Sequence, residues 1–404
     1  MTTLLKHHYG QLPERDFDLR AATAEATRCL LCHDAPCSAA CPAQTDPGKF
    51  IRSLRLRNIR GAIETIRENN PLAGCCALVC PYDTLCERGC SRSGIDRPIE
   101  IGRLQRFLVG QEMALNMQAL RAGPLKGMQV LCIGAGPASL ACASGLAVLG
   151  YAVSIYEANE KPGGVLAYGI SPSRLPQDVV DHDIGLVEQL GVRIIYGKTV
   201  VAEHISALQQ QFAAIFIGTG LWKSKLPDIP GVSLAGVLPA LDYLREARTQ
   251  KTLEKGDHVL VIGGGDVAMD CAATAKQLGA EHTSIVYRRS MAEAPANREE
   301  LRRVQAMGIP VITGFTPEEI LGEAGRVAGM RFKGRDGYSS LLLKADKVIF
   351  AIGQERREDF PACEGIIFGG DYANGGKTVV EAVAEGKAAA RAIHANLEAR
   401  QGGR

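Results

Sequence analysis

Nine of the thirteen cysteines in this 404-residue chain lie between Cys29 and Cys90. The run Cys29-Leu-Leu-Cys32-His-Asp-Ala-Pro-Cys37-Ser-Ala-Ala-Cys41-Pro42 spaces its sulfurs by two, four and three residues. Cys75, Cys76, Cys80-Pro81, Cys86 and Cys90 follow. Soft thiolates so spaced can wrap a compact metal centre, and a proline after the last ligand turns the chain away. Two other uses of cysteine carry less weight. The start Met1-Thr-Thr-Leu-Leu-Lys-His-His-Tyr has no apolar core of signal-peptide length, which argues against an oxidising destination and its disulfides. Zinc sites commonly pair two Cys-x2-Cys units, and here only Cys29/Cys32 has that form. Paired iron–sulfur clusters are the expectation.

Composition narrows the class further. Lys and Arg total 46 against 44 Asp and Glu, a net charge of +2, with no basic run of the kind that grips nucleic acid. No stretch of eighteen apolar residues suggests a membrane span, and a cytoplasmic protein is expected. The 45 glycines and few aromatics suit an α/β protein with many tight turns.

The elements that must hold these cysteines come first in the chain. Residues 1 to about 28 read as an arm leading into an alanine-rich helix. From Asp46 to Asn70, Phe50, Ile51, Leu54, Ile59, Ile63 and Ile66 recur at helical spacing until Pro71 stops them. Helix is expected again over 98–120. Residues 1–124 therefore read as one small helical domain, held together largely by its metal centres.

At Gly127 the pattern turns to strand, Met128 to Ile133, followed by Gly134-Ala-Gly136-Pro-Ala-Ser139. Gly134 permits a tight turn, Gly136 admits a pyrophosphate to a helix N-terminus, and Ser139 is small enough for close helix packing. A second strand, Ala152 to Tyr156, ends in Glu157, whose carboxylate can accept from a ribose diol. The loop after it carries Gly164, Leu166, Tyr168, Gly169 and Arg174 and is expected to lie along a flavin ring. The strand Ala214–Ile217 ends in Gly218-Thr-Gly220. A second nucleotide turn, Gly263-Gly-Gly265-Asp266-Val-Ala268, follows the strand His258–Ile262. Its next strand, Thr283–Tyr287, ends not in an acid but in Arg288-Arg289, which suits a 2′-phosphate and so NADPH rather than NADH. The strand from Lys347 reaches Gly353. Gly370-Asp371 and the helix start Thr378-Val379-Val380 then return to the flavin fold, Asp371 toward a ribityl hydroxyl and the helix N-terminus toward the pyrimidine edge. The fold class expected is α/β: a helical N-terminal iron–sulfur domain, then two Rossmann-like nucleotide-binding domains. FAD would occupy 125–250 and 350–404, with an NAD(P)H domain inserted at 251–349.

These motifs together resemble the flavin and iron–sulfur module shared by dihydropyrimidine dehydrogenase and the small subunit of bacterial glutamate synthase. The stretch Cys32-His-Asp-Ala-Pro-Cys37, Cys41-Pro-Ala-Gln-Thr-Asp46-Pro-Gly-Lys-Phe50, Arg67-Glu-Asn69-Asn70-Pro71-Leu and Pro98-Ile-Glu-Ile-Gly-Arg-Leu-Gln105 is most similar to the flavin subunit of the bacterial two-subunit dihydropyrimidine dehydrogenase. The resemblance implies one 4Fe–4S cluster on Cys29, Cys32, Cys37 and Cys90, and another on Cys41, Cys80, Cys86 and Gln105. Ligand softness alone nominates Cys76 as the eighth ligand; the resemblance implies Gln105 instead. Cys75 and Cys76, with Cys132, Cys142, Cys271 and Cys363, are then expected in the core. The Arg288-Arg289 pair is more similar to the NADPH-using glutamate synthase subunits.

The resemblance implies hydride transfer from NAD(P)H to FAD, with no catalytic acid or base and only the flavin-adjacent residues Tyr168, Gly169 and Arg174 near the ring. Single electrons would leave through the clusters. With no length for an FMN barrel before Arg404, it also implies a partner chain with FMN and further clusters that reduces uracil or thymine. Two other functions compete. One is electron input to a different enzyme, such as glutamate synthase or a ferredoxin-linked NADP oxidoreductase. The other is a non-catalytic redox or metal-sensing scaffold, which would need neither nucleotide turn.

Overall fold

The computed structural model describes residues 16–249 and 256–402. The expected arm over residues 1–15 lies outside them. The described residues divide into two units, the first comprising 16–167, 174–221 and 358–402, the second 168–173 and 222–357.

Six helices open the first unit: α1 (Leu19–Thr27), α2 (Pro36–Ala39), α3 (Pro47–Arg55), α4 (Ile59–Asn69), α5 (Ala73–Val79) and α6 (Ile101–Ala114). The periodic stretch 46–70 is two helices rather than one. Arg57 takes a left-handed φ of +59°, and Asn58 restarts the chain by accepting from Gly61 N at 2.9 Å. Phe50, Ile51, Leu54, Ile63, Ile66, Leu104 and Leu108 are fully buried between these helices, each burial contributing roughly 1.5–3 kcal/mol.

A parallel fold follows with β1 (Gln129–Ile133), α7 (Pro137–Val148), β2 (Ala152–Tyr156), α8 (Val165–Tyr168), α9 (Gln177–Glu188), β3 (Arg193–Ile195), α10 (Ile205–Gln209) and β4 (Ala214–Ile217).

The second unit contains β5 (Lys223–Ser224), β6 (Val237–Pro239), α11 (Ala240–Thr249), β7 (His258–Ile262), α12 (Asp266–Gln277), β8 (His282–Tyr287), α13 (Arg298–Ala306), β9 (Val311–Thr313), β10 (Phe315–Glu323), β11 (Arg326–Gly334), β12 (Ser340–Lys344), β13 (Lys347–Phe350) and β14 (Gln354–Glu355). Its main sheet runs β6-β13-β7-β8-β9, all parallel. Residues 222–249, expected with the first nucleotide fold, lie here because β6 pairs with β13 and α11 packs on α12. An antiparallel β10-β11-β12 sheet packs Met330 and Phe332 against Leu260, Ile262 and Val348 of the main sheet.

The chain then re-enters the first unit as β15 (Ile366–Phe368), α14 (Asp371–Asn374) and α15 (Val379–Gly402), completing a parallel sheet in the order β15-β4-β1-β2-β3. The order reverses between β1 and β4, which opens a crevice at their carboxyl ends, the usual ligand position in an open α/β sheet. Cys132, Cys142 and Cys271 are fully buried as expected, but Cys363 is exposed, since it follows Pro361 in the loop before β15 and outside any packed element. Among the described residues no helix is long and apolar enough to cross a membrane.

Candidate functional site

Cys29, Cys32, Cys37 and Cys90 line one recess, with Ile51, Ile99 and Ile101 forming its apolar wall. Cys29 follows the cap of α1, α2 carries Cys37, and Cys90 precedes a short 3₁₀ turn. Burial, then the neighbouring thiolates of Cys90 and Cys29, push the Cys37 thiol up to about 11. Burial and the Cys90 and Cys32 thiolates raise Cys29. The raised thiols of Cys29 and Cys37 would be matched by a cationic iron centre, which binds thiolate and displaces the protons.

Cys41, Cys80 and Cys86 are all buried. The Cys76 thiol, burial and the thiolates of Cys86 and Cys41 all raise Cys80, so these four sulfurs are neighbours. Thr45 N donates to Cys41 Sγ at 3.4 Å. Gln105 is buried on α6 and its Nε2 donates to Ala73 O at 2.8 Å, leaving Oε1 as the atom with lone pairs for iron. Cys75 and Cys76 are buried in α5. Among the described residues no three His, Cys, Asp or Glu converge as on a single metal ion.

A network that the sequence does not announce stands behind this second set. The Arg67 guanidinium, fully buried, meets Glu112 Oε2 through Nε at 2.9 Å, Asp183 Oδ1 at 2.8 Å and Pro71 O at 2.7 Å. Burial opposes its charge, but Asp183 and Glu112 overturn that and raise its pKa. Burial works against the Glu112 carboxylate too, yet His182, at 3.2 Å, and Arg67 hold it below the usual range. Asp183 also accepts from Cys75 N at 2.8 Å and Gly74 N at 3.3 Å, capping the first turn of α5. The three partners come from α4, α6 and α9, at positions 67, 112 and 183, too far apart in sequence for any local motif to connect them.

At the β1 turn, Gly134 has φ +86° and a Cβ on it would lie 3.0 Å from Gly218 O, so the turns after β1 and β4 pack backbone to backbone. A Cβ on Gly164 would lie 2.9 Å from the Gly136 Cα. Ser139, at the third small position, has a buried Oγ with no hydrogen-bond partner. Glu157 is buried at the end of β2, where Oε2 accepts from Ala135 N at 2.7 Å and Oε1 from Asn159 N at 2.8 Å. It therefore ties the glycine turn to the second strand and keeps lone pairs for a further donor. Leu166 is buried, and Arg174 donates to Val79 O at 3.4 Å, one residue before Cys80. Gly220 follows β4. Gly370 takes φ +66° and Asp371 accepts from Lys377 N at 3.1 Å, its carboxyl raised by burial. Thr378 N and Oγ1 both donate to Glu381 Oε2, a capping box that leaves Val379 and Val380 in the first turn of α15. Open glycine turns, a buried orphan hydroxyl and a strand-end carboxylate fit a flavin dinucleotide.

In the second unit Gly263 approaches Ala351 so closely that a Cβ would lie 2.3 Å from its carbonyl, and Gly265 starts α12. Asp266 accepts from Asn297 N at 2.7 Å, and Ala268 is fully buried. Arg288 and Arg289 are exposed after β8, at the same sheet edge as the turn after β7. Gly353 follows β13 with φ +123°. Tyr168 stands edge-on to Trp222 at 6.3 Å, next to Gly169 in the same unit.

Comparison with known proteins bears on both units. Residues 8–117 match the family model described as dihydropyrimidine dehydrogenase domain II, 4Fe-4S cluster, and residues 128–381 the pyridine nucleotide-disulphide oxidoreductase model. A protein of Salmonella typhi named NAD-dependent dihydropyrimidine dehydrogenase subunit PreT homolog is 44% identical over 93% of this chain and 94% of its own. The Escherichia coli K12 subunit PreT is 43% identical over the same shares. The beta subunit of an NADP(+)-dependent formate dehydrogenase from Moorella thermoacetica is 33% identical over 91% of this chain and 60% of its own. Among solved structures, FprA of Mycobacterium tuberculosis in complex with NADPH superposes with TM-score 0.59 at 17% identity over 70% of this chain and 86% of that one, a likeness of fold.

Proposed function

This chain belongs to the family of NAD-dependent dihydropyrimidine dehydrogenase PreT subunits, and we propose that it is the electron-input subunit of a heteromeric dihydropyrimidine dehydrogenase. Its partner would be a chain carrying FMN and further iron–sulfur clusters, which reduces uracil or thymine to the 5,6-dihydro form. The observation that carries the reading is the recess lined by Cys29, Cys32, Cys37 and Cys90 in the same unit as the Gly134/Glu157 turn. When bound, FAD accepts a hydride from the nicotinamide and the 4Fe–4S clusters accept single electrons, chemistry that no side chain here supplies.

The residues bind and orient. Gly134 and Gly136 would receive the flavin pyrophosphate at the N-terminus of α7, and Glu157 would accept from the ribose. Asp371 would meet the ribityl chain, with Thr378, Val379 and Val380 turning the positive end of α15 toward the flavin. Cys29, Cys32, Cys37 and Cys90 would hold one cluster. Cys41, Cys80, Cys86 and Gln105 would hold the other, with Cys76 the competing eighth ligand. Gly263, Gly265 and Ala268 would admit the nicotinamide dinucleotide.

The chain should be pulled down anaerobically with its native partner, and NADH and NADPH oxidation followed with and without uracil. Uracil-dependent oxidation supports the assignment. Flavin reduction without a uracil response would move the module to another enzyme, the second reading, which the likeness to a formate dehydrogenase beta subunit favours.

Relatives named NAD-dependent and the Arg288-Arg289 pair pull toward different nicotinamides. Neutralising both arginines should weaken NADPH use by about 1–3 kcal/mol for each charge-assisted hydrogen bond to the 2′-phosphate and leave NADH use nearly unchanged. Equal weakening with both cofactors would show that the pair does not read the 2′-phosphate.

A further inference from the structure

Lys387 sits two turns into α15, the helix whose first residues adjoin the flavin-type site. Its Nζ donates to the main-chain carbonyls of Ala43 and Asn69. Ala43 lies two residues beyond Cys41 and Asn69 closes α4, so one ammonium ties together the loop leaving a cysteine ligand and the helix behind it. Among the described residues its partners are these two carbonyls, and no carboxylate acts on it. Its charged neighbours are Arg391, of like sign, and Cys41, whose thiolate favours the ammonium.

Burial and Arg391 lower this ammonium to about 8, yet with its protons placed on two carbonyls it still carries its charge at neutral pH. The Cys41 thiolate is the anion within its field, and the cluster that Cys41 would hold gains one further negative charge when it takes an electron. A fixed positive charge stabilises the more negative state, and cluster potentials respond to local charge as well as to solvent exposure and hydrogen bonds to sulfur.

We propose that Lys387 is a positioning residue for the cluster held by Cys41, Cys80, Cys86 and Gln105, fixing the Cys41 loop through two carbonyls and raising that cluster's reduction potential. The inference rests on the cluster assignment of the preceding subsection. Lys387 touches neither a reacting atom nor a ligand sulfur. It acts through the backbone after Cys41 and through its charge. It also joins α15 to that loop, so one side chain bears on both the potential and the placement of this cluster.

The test is an anaerobic redox titration of the full-length protein with iron restored, followed by electron paramagnetic resonance, for the parent, Lys387→Gln and Lys387→Arg. Glutamine still donates to a carbonyl but carries no charge; arginine keeps the charge. In Lys387→Gln one cluster should become harder to reduce by roughly tenfold, about 59 mV for one electron. The other cluster and the flavin should titrate as in the parent, and Lys387→Arg should titrate like the parent throughout. Unchanged midpoints in Lys387→Gln, or an equal shift in Lys387→Arg, would overturn the proposal. Should Lys387→Gln lose the iron of one cluster, restoration by Lys387→Arg supports it and failure to restore overturns it. A parent protein that takes up no iron–sulfur cluster would overturn the cofactor assignment and this proposal together, an outcome visible before any variant is made.

Discussion

Cys29, Cys32 and Cys90 are partly exposed around a recess in which Cys37 is buried, whereas Cys41, Cys80 and Cys86 are all buried together with Gln105. The surroundings differ in the same sense. Beside the first set, Arg92 and Arg28 pair with Asp96 at 2.8 and 3.0 Å in partly exposed positions, holding its carboxyl well below the usual range. Behind the second set stands the fully buried Arg67–Glu112–Asp183 network, which fixes the start of α5 and so the approach to Cys80. Surface ion pairs are screened by water and contribute little, while a buried ion triad is destabilised severely when one member is removed. One set is thus built where solvent reaches it and the other where the protein alone sets its environment.

The largest way to break this comparison is Arg67→Met, which strands two buried carboxylates and should cost about 3–5 kcal/mol in denaturant unfolding. A loss no larger than that of a surface variant would show that the network is not what anchors the buried set. Next comes Cys86→Ala, which should remove the iron of one centre, about half the total, and leave the recess centre's spectrum intact. Iron analysis with spectroscopy decides it; loss of both signals together would mean that the two sets form a single centre.

Solvent access then predicts kinetics. Under a strong iron chelator, release should be biphasic, and the fast phase should vanish in Cys32→Ala while the slow phase persists. A single rate would remove the distinction between exposed and buried centres. A finer test separates the eighth ligand. Gln105→Ala should alter the spectrum of the buried centre and Cys76→Ala should not; the reverse pattern would make Cys76 the ligand. Smallest of all, Arg92→Ala should leave the unfolding midpoint essentially where it is, since its partner Asp96 keeps a second arginine.

Much of the scaffold was legible in one dimension. The strand Ala152–Tyr156 with its terminal Glu157, the strands Ala214–Ile217 and His258–Ile262, and the helix start at Val379 lie where short apolar runs meet glycine turns. That the cysteines suit metal centres was legible from their spacing, whereas the grouping of Cys90 with Cys29, Cys32 and Cys37 came only with the family resemblance. What stayed hidden depends on pairing across long separations: β6 with β13, the antiparallel β10-β11-β12 sheet, and the Arg67 network. A break at Arg57 was masked because the apolar period runs straight through it.

The sequence by itself therefore determined which chemistry the chain could host, because cysteine spacing and glycine turns are local demands of ligand geometry and backbone freedom. Only the tertiary structure decided how exposed each cysteine set is and which distant charges stand behind it. Burial and electrostatic environment belong to what packs around a residue, and Arg67, Glu112, Asp183 and Lys387 meet their partners only after the helices have docked.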